Sequence, residues 1–368
     1  MFKHFGFGII FSILCIIGAG VYGFVTGDVA TAAQFAFIAI VLGVMEVSLS
    51  FDNAVVNAKV LTGMDLVWRH RFLTWGIAIA VVGMRFVFPI LIVMATASLG
   101  FTEVVSLAFN NPTEYSEHLE EAHVLISAFG GTFLGLVFLH YFFDKTKDVH
   151  WIGPIERRLA RAGNLDKVEV SVILTALLAL VALTVAPAEK YSALLAGGLG
   201  ILTYLLVKAL AGMFEPPEDE EGEEADTRRA KVKAVSETAT KAGALSFLYL
   251  EVLDASFSLD GVIGAFAISK EVVVIAAGLA IGAVFVRSMT LWLVETGTLT
   301  EYRFLEHGAH WGIGALAIIM LLSMNRAVHI PELITGLIGL GFIIAAVMWS
   351  VRANKSDRDG ESSHARLS

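Results

Sequence analysis

Cysteine is almost missing from this sequence: Cys15 is the only one in 368 residues. That count excludes a disulfide scaffold and a zinc–thiolate site. Charge is scarce as well. Asp, Glu, Lys and Arg make up 17% of the chain, against about 25% in ordinary soluble domains. The balance is acidic, 35 acids to 26 bases, with no basic stripe, which excludes the electrostatic footprint of a nucleic-acid binder. No phosphate-loop lysine pattern follows the glycine-rich stretches such as Gly197-Gly198, so the chain does not read as an ATPase. No nucleophile–base pair with adequate spacing appears, and no enzyme activity and no tightly bound cofactor are expected.

Apolar sequence is what the chain has in abundance: 56% of residues, with a mean hydropathy of +0.73. Ten apolar segments stand out, at about 5–26, 33–58, 72–98, 123–143, 170–187, 190–211, 242–268, 271–295, 309–324 and 331–351. Many exceed the roughly 18 residues that mark a membrane span. The expected fold is therefore all-α, a polytopic membrane protein of about ten transmembrane helices, with the lipid bilayer as an obligatory partner and no protein partner identifiable. Lys3 and His4 precede the first run, as in a signal peptide, but the run is longer than a usual signal core and reads as a retained helix.

Bases set the direction. Lys59, Arg69 and Arg71, then Lys145 to Lys167, then Arg228 to Lys241, and finally Arg352 to Arg366 fall in four stretches that ten spans place on one side, with the N-terminus. The loop 99–122 carries Glu103, Glu114, Glu117, Glu120 and Glu121 without a base, and reads as a solvated outer loop. The chain is expected in the cell's inner (plasma) membrane with both termini cytoplasmic. Its parts are a first half over 1–211, with motif helices in 33–143, an acidic linker over 212–241, a second half over 242–351 and a disordered tail over 352–368. Residues 215–226 are the most acidic part of that linker, composed as disordered segments are.

Two motifs repeat in order. Glu46-Val-Ser-Leu-Ser50-Phe-Asp52-Asn53 is matched by Asp254-Ala-Ser-Phe-Ser258-Leu-Asp260-Gly261. Gly76 to Arg85 is matched by Gly278 to Arg287. A weaker echo joins Leu119–His123 to Leu305–His310. The copies lie in spans two and seven and in spans three and eight. An offset of five makes each pair antiparallel, an inverted repeat of five helices plus five, as in transporters whose sites lie at the repeat interface.

Acids inside a span cost roughly 2.5–3.5 kcal/mol each on insertion scales. Glu46, Asp52, Asp254 and Asp260 face only Arg85 and Arg287 as buried counter-charges, and Glu251 adds a further acid. A divalent cation balances the deficit of two, and so does protonation. Glu46, Ser50, Asn53 and Asn57 share a helix face, whereas Asp52 falls about 120° from Glu46. Either Asp52 serves a second surface or the helix breaks near Ser-x-Asp, and Gly261 eases such a break in the second copy. Ser50 and Ser258 bond either backbone or substrate. Met45 reads as packing, His123 and His310 as interface residues at span ends, and His140 and Asp144 as a solvated end. Carboxylate, amide and hydroxyl groups are hard donors suited to Mg²⁺, Ca²⁺ or Mn²⁺.

With these motifs, each followed by an arginine in the next helix, the sequence resembles the TerC family of integral membrane proteins over about 33–330, closest to a TerC-like branch of unknown function. The resemblance implies metal-ion export, chiefly of Mn²⁺, an association with tellurium resistance and a place in a LysE-like transporter superfamily. It implies Glu46, Asp52, Asn53, Asp254 and Asp260 as metal-site candidates, with Ser50, Ser258, Arg85, Arg287, Asn57 and Glu251 supporting them. Gly261 and the longer acidic linker depart from the family pattern. The expected function is export of a divalent cation by alternating access. Its rivals are an exporter of small organic cations or amino acids, and a non-transporting assembly platform linked to metal or tellurite stress.

Overall fold

The computed structural model describes residues 2–145, 147–163, 168–212, 225–328 and 330–365, apart from some side chains within those ranges. Residues 213–224, which hold most of the acidic stretch 215–226, and the side chain of Asp260 lie outside the described residues. No strand occurs among the described residues. The chain runs through α1 (Phe2–Thr26), α2 (Val29–Leu49), α3 (Phe51–Gly63), α4 (Leu66–Ala78), a π-helical stretch (Ile79–Val87), α5 (Phe88–Ala97), α6 (Phe101–Asn110), α7 (Pro112–Glu121) and α8 (His123–Phe143). It continues through α9 (Gly153–Ala162), α10 (Val168–Thr184), α11 (Lys190–Gly212), α12 (Ala225–Ile268), α13 (Val272–Thr296), α14 (Thr298–Glu301), α15 (Leu305–Ser323) and α16 (Glu332–Ala365).

Among the described residues, eight stretches are long and apolar enough to cross a membrane: α1, α2, α4 through α5, α8, α11, α13, α15 and α16. The chain is an all-α membrane protein. Two expected spans take other forms. Segment 170–187 is the shorter apolar helix α10, and 242–268 is the later part of the 44-residue α12. α12 already begins at Ala225, inside the expected linker. At the other end, α16 runs on through Arg352 to Ala365, where a disordered tail is expected. No proline interrupts either extension, so each apolar span propagates its helix into polar sequence. The outer loop folds into α6 and α7, anchored by buried Val104, Tyr115 and Leu119. Its five glutamates are exposed, as expected of a solvated surface.

Local sequence explains the boundaries that matter for the site. Asp28 caps α2 by accepting from Thr31 N at 2.8 Å. Asp65 caps α4 by accepting from Val67 N at 2.8 Å and Trp68 N at 3.1 Å, so two polar residues end the flanking turns. The π stretch ends just before Pro89. A proline has no N–H to give the carbonyl four residues back, here that of Arg85, and its ring crowds that carbonyl. A widened i→i−5 turn relieves both, and Phe88 N–H accordingly bonds Gly83 O.

Close helix contacts are made through glycine. A Cβ at Gly278 would lie 2.5 Å from Leu42 Cβ, and one at Gly282 would lie 2.3 Å from Glu46 Cβ, so α13 lies directly on α2. Across the molecule, a Cβ at Gly76 would lie 2.6 Å from Arg287 Nη2 and 2.8 Å from Glu251 Oε1, so α4 lies on α12. α3 packs on α15 much as α12 packs on α8, and α8 and α15 pack on each other. Polar contacts tie the ends. Lys59 meets Glu306 at 3.0 Å, His4 meets Glu295 at 3.6 Å and Lys208 meets Glu169 at 3.8 Å, all in base-rich loops or span ends beside them. At the opposite ends Tyr22 donates to Glu271 at 3.2 Å, Lys270 to Ser116 at 2.7 Å and Arg326 to Glu189 at 2.6 Å.

Candidate functional site

Polar side chains from α2, α3, the π stretch, α12 and α13 meet in the protein interior. Glu46, Ser50, Asp52, Asn53, Asn57, Arg85, Glu251, Asp254, Ser258 and Arg287 are all buried. Three described acids, Glu46, Glu251 and Asp254, thus lie beside two arginines, with Asp52 a fourth buried acid on the same helices. Burying an unpaired carboxylate is costly, so the partner of each acid is the informative quantity.

Glu46 is engaged through one oxygen. Its Oε1 accepts from Arg85 Nη2 at 2.5 Å and from Ser50 Oγ at 3.2 Å. Arg85 also donates to Ala80 O at 2.8 Å. That carbonyl lies within the π stretch, so the widened helix and the guanidinium complete each other. Ser50 itself separates α2 from α3, with φ −107° and ψ 15°. The break near Ser-x-Asp is therefore present in the first copy. In the second copy α12 passes without interruption through Asp254, Ser258 and Gly261. Gly261 acts differently from the helix-breaker expected of it: a Cβ there would lie 2.8 Å from Glu46 Oε2.

Asp254 is held from the other half of the chain. Asn53 Nδ2 donates to its Oδ1 at 2.6 Å and Asn57 Nδ2 at 2.9 Å. A carboxylate only accepts, so both amides turn their nitrogens to it and leave their oxygens free. Neither Asn53 Oδ1 nor Asn57 Oδ1 has a protein hydrogen-bond partner, and the same holds for both oxygens of Glu251 and for Ser258 Oγ. Arg287 lies 3.7 Å from Asp254 Oδ2 and 3.8 Å from Glu251 Oε1, beyond hydrogen-bond range. Its guanidinium is stacked on Phe72 at 3.6 Å instead, a cation–π contact.

Asp52 sits apart from this lap. It lies about 100° round α3 from Asn53, and Cβ atoms at Gly312 and Gly339 would lie 3.1 and 3.5 Å from its Oδ2. It thus faces α15 and α16, the second surface that helical spacing allowed. Met45 packs in an apolar cluster with Leu42, Ile90 and Phe266. Among the described residues no three His, Cys, Asp or Glu side chains converge well enough to hold a metal by themselves. The unpartnered oxygens of Asn53, Asn57 and Ser258 are further described donors beside the carboxylates.

The polar lap lies beyond a cavity of about 550 Å³ at the base-rich end. Lys59, Tyr141, Lys147, Tyr249, Glu306 and His310 are among its walls. Lys59 is two residues along α3 from Asn57, and Tyr249 is two residues along α12 from Glu251, which is about 3 Å along each axis. His310, expected at an interface, is buried and stacked on Tyr141 at 3.5 Å. Lys147 Nζ lies over the Tyr141 ring and donates to Tyr141 O at 2.5 Å. Burial pushes its ammonium down to about 7, against the pull of Glu306, Asp144 and Glu156. Sequence reasoning missed Glu156, which is buried beside this wall. It accepts from Trp151 N at 2.8 Å, Ile152 N at 3.2 Å and Trp311 Nε1 at 3.1 Å, and lies 3.6 Å from His307. Its one visible signal was an acid set among arginines in Gly153–Ala162.

The family described as "Protein of unknown function (DUF475)" matches residues 51–357. The chain belongs to the DUF475 family. The matched region takes in Asn53, Asn57, Asp254 and Arg287 of this DUF475 member and begins just after Glu46. No curated protein and no solved structure matches the chain.

Proposed function

We propose that this protein is a membrane transporter that exports a divalent metal cation, Mn²⁺ first among them, by alternating access. It lies in the plasma membrane, has both termini in the cytoplasm and is built from two inverted five-helix repeats like those of the TerC family. The observation that carries the reading is the Asp254 lap. An acid of one repeat is gripped by Asn53 and Asn57 of the other, and hard oxygen atoms around it lack a protein partner. A site spanning two halves opens to one side or the other as the halves rock.

Three further observations support it. The reciprocal helix contacts, α3 on α15 and α12 on α8, suit a pseudo-two-fold axis. The end-to-end contacts each join loops or span ends that ten alternating spans place on the same side. Among the described residues of α2, α3 and α12, four buried acids, Glu46, Asp52, Glu251 and Asp254, outnumber the buried Arg85 and Arg287 by two, the charge of one divalent ion.

A second reading, export of a small organic cation or an amino acid, draws on the cavity. Lysines, acids and tyrosines share its walls, and its volume falls in the range of small-molecule pockets. Flux in proteoliposomes decides between them. Downhill uptake of Mn²⁺ that an Asn53→Leu variant loses is the expected result. Amino-acid flux without Mn²⁺ flux selects the second reading, and no flux of either kind refutes both.

A further inference from the structure

The two copies of the motif form unequal half-sites. Asp254 and Asn53 in one correspond to Glu46 and Gly261 in the other. Where Asn53 reaches out to Asp254, Gly261 withdraws and Glu46, one methylene longer than Asp254, fills the space. The arginines differ in the same sense. Arg85 is bonded to Glu46 and to the π-stretch carbonyl Ala80 O. Arg287 makes no hydrogen bond through Nη1 or Nη2 and stands between two acids at 3.7 and 3.8 Å.

From this contrast we infer that the protein has one working cation site, formed by Asp254, Glu251, Asn53 and Asn57, and one closed pseudo-site in which Arg85 permanently occupies the cation's place beside Glu46. The inference rests on the reading as a cation transporter and changes its ligand set: Glu251 and Asn57 enter, Glu46 and Asp52 leave, and the Asp260 side chain lies outside the described residues. Glu251 is 6% exposed with both oxygens unpartnered. It is one helical turn from Asp254 on the same face of α12. A divalent ion has there two carboxylates and two amide oxygens, the hard donor set that Mn²⁺ and Mg²⁺ take. Arg287, with no hydrogen bond to lose and Phe72 to rest on, can yield the acids to it. Arg85, held at its other nitrogen by Ala80 O, is fixed in place on Glu46.

Gly261 keeps the closed half closed. Its missing side chain is what admits Glu46 to Arg85, so Gly261 is a positioning residue and not a ligand.

The test is Mn²⁺ binding to the purified full-length protein in detergent, by equilibrium dialysis, with thermal unfolding of the same samples. Glu251→Gln is expected to weaken Mn²⁺ by at least about tenfold, the factor that 1.4 kcal/mol produces, with little change in melting temperature. Gly261→Ala pushes Glu46 off Arg85 without touching the Asp254 lap. It is expected to lower the melting temperature and to keep Mn²⁺ affinity within about threefold, under 0.7 kcal/mol. Glu251→Gln binding as the wild type does, or Gly261→Ala losing affinity as Glu251→Gln should, overturns the inference while leaving a cation site in place. A wild-type chain that binds no Mn²⁺, Mg²⁺ or Ca²⁺ overturns the transporter reading and this assignment with it.

Discussion

Arg85→Gln removes one guanidinium and breaks two contacts together: the 2.5 Å bond to Glu46 and the 2.8 Å bond to Ala80 O. The side chains of Arg85 and Glu46 are 6% and 2% exposed, so solvent cannot replace what is lost. Removing one partner of a buried pair typically costs about 3–5 kcal/mol, because the other charge stays buried and uncompensated. At the globular value of about 2.1 cal/mol/K per residue, a chain of this length unfolds with about 0.8 kcal/mol/K of entropy, so the loss corresponds to a drop of about 4–6 °C in melting temperature. Differential scanning fluorimetry in one detergent, on Arg85→Gln, Glu46→Gln and the double variant, measures it as a cycle. The double variant should be less destabilised than the two single changes together, by roughly 1–3 kcal/mol of coupling. Arg85→Lys keeps the charge but not the fork, and should fall between wild type and Arg85→Gln. An Arg85→Gln protein that melts within about 1 °C of wild type, or a cycle that is additive, refutes the claim that this pair locks α2 to the π stretch.

Arg287→Gln should cost less than Arg85→Gln in the same assay, since it surrenders no hydrogen bond; an equal or larger drop contradicts the open half-site. In a Cys15-free protein, a single cysteine near 115 should react with a membrane-impermeant maleimide on intact cells, whereas one near 220 should react only after the membrane is opened; labelling of both on intact cells breaks the proposed topology. Lys147 is protonated in the unfolded chain up to about pH 10.4 and in the folded one only to about 7. The unfolded state therefore binds more protons between these values, so stability rises with pH across that window and the penalty is full below it. The melting temperature should climb from pH 6.5 to 8.5, by an amount tempered by Lys147's partial exposure, and Lys147→Met should flatten the climb; an unchanged slope in the variant refutes this. Deleting 215–226 should leave most Mn²⁺ flux intact, whereas complete loss at normal expression favours the assembly-platform alternative.

The helices were legible because apolar runs of this length have few other uses. The ends of 123–143 agree with α8 to the residue. The placement of Glu46, Asp52 and Asp254 in the interior was legible too, from the cost of carrying charge in an apolar span. Pairing was not. Glu46 and Asp254 look equivalent in the repeat, and only the packed helices reveal that one meets an arginine at bonding distance and the other two asparagines from the opposite half. The π stretch around Arg85 left a trace in Pro89, but one proline does not say whether a helix will kink, end or widen. Helix α9 escaped notice because ten residues rich in arginine read as a loop until Glu156 is seen to be buried beneath them.

The exchange of side-chain length between the two halves has a consequence for how such a sequence can change. Asp254 is bonded to Asn53, whereas Glu46 lies against Gly261. Converting the second pair into the first takes two substitutions, and neither intermediate is comfortable. An asparagine at 261 collides with the longer acid still at 46, and an aspartate at 46 falls short of Arg85 across the gap that glycine leaves. The pair is therefore epistatic: selection acts on the sum of the two side chains, and a tolerated variant at one position predicts the residue at the other. A library randomised at 46 and 261 together should return functional members in which long acid accompanies small residue and short acid accompanies amide, with the mixed combinations depleted.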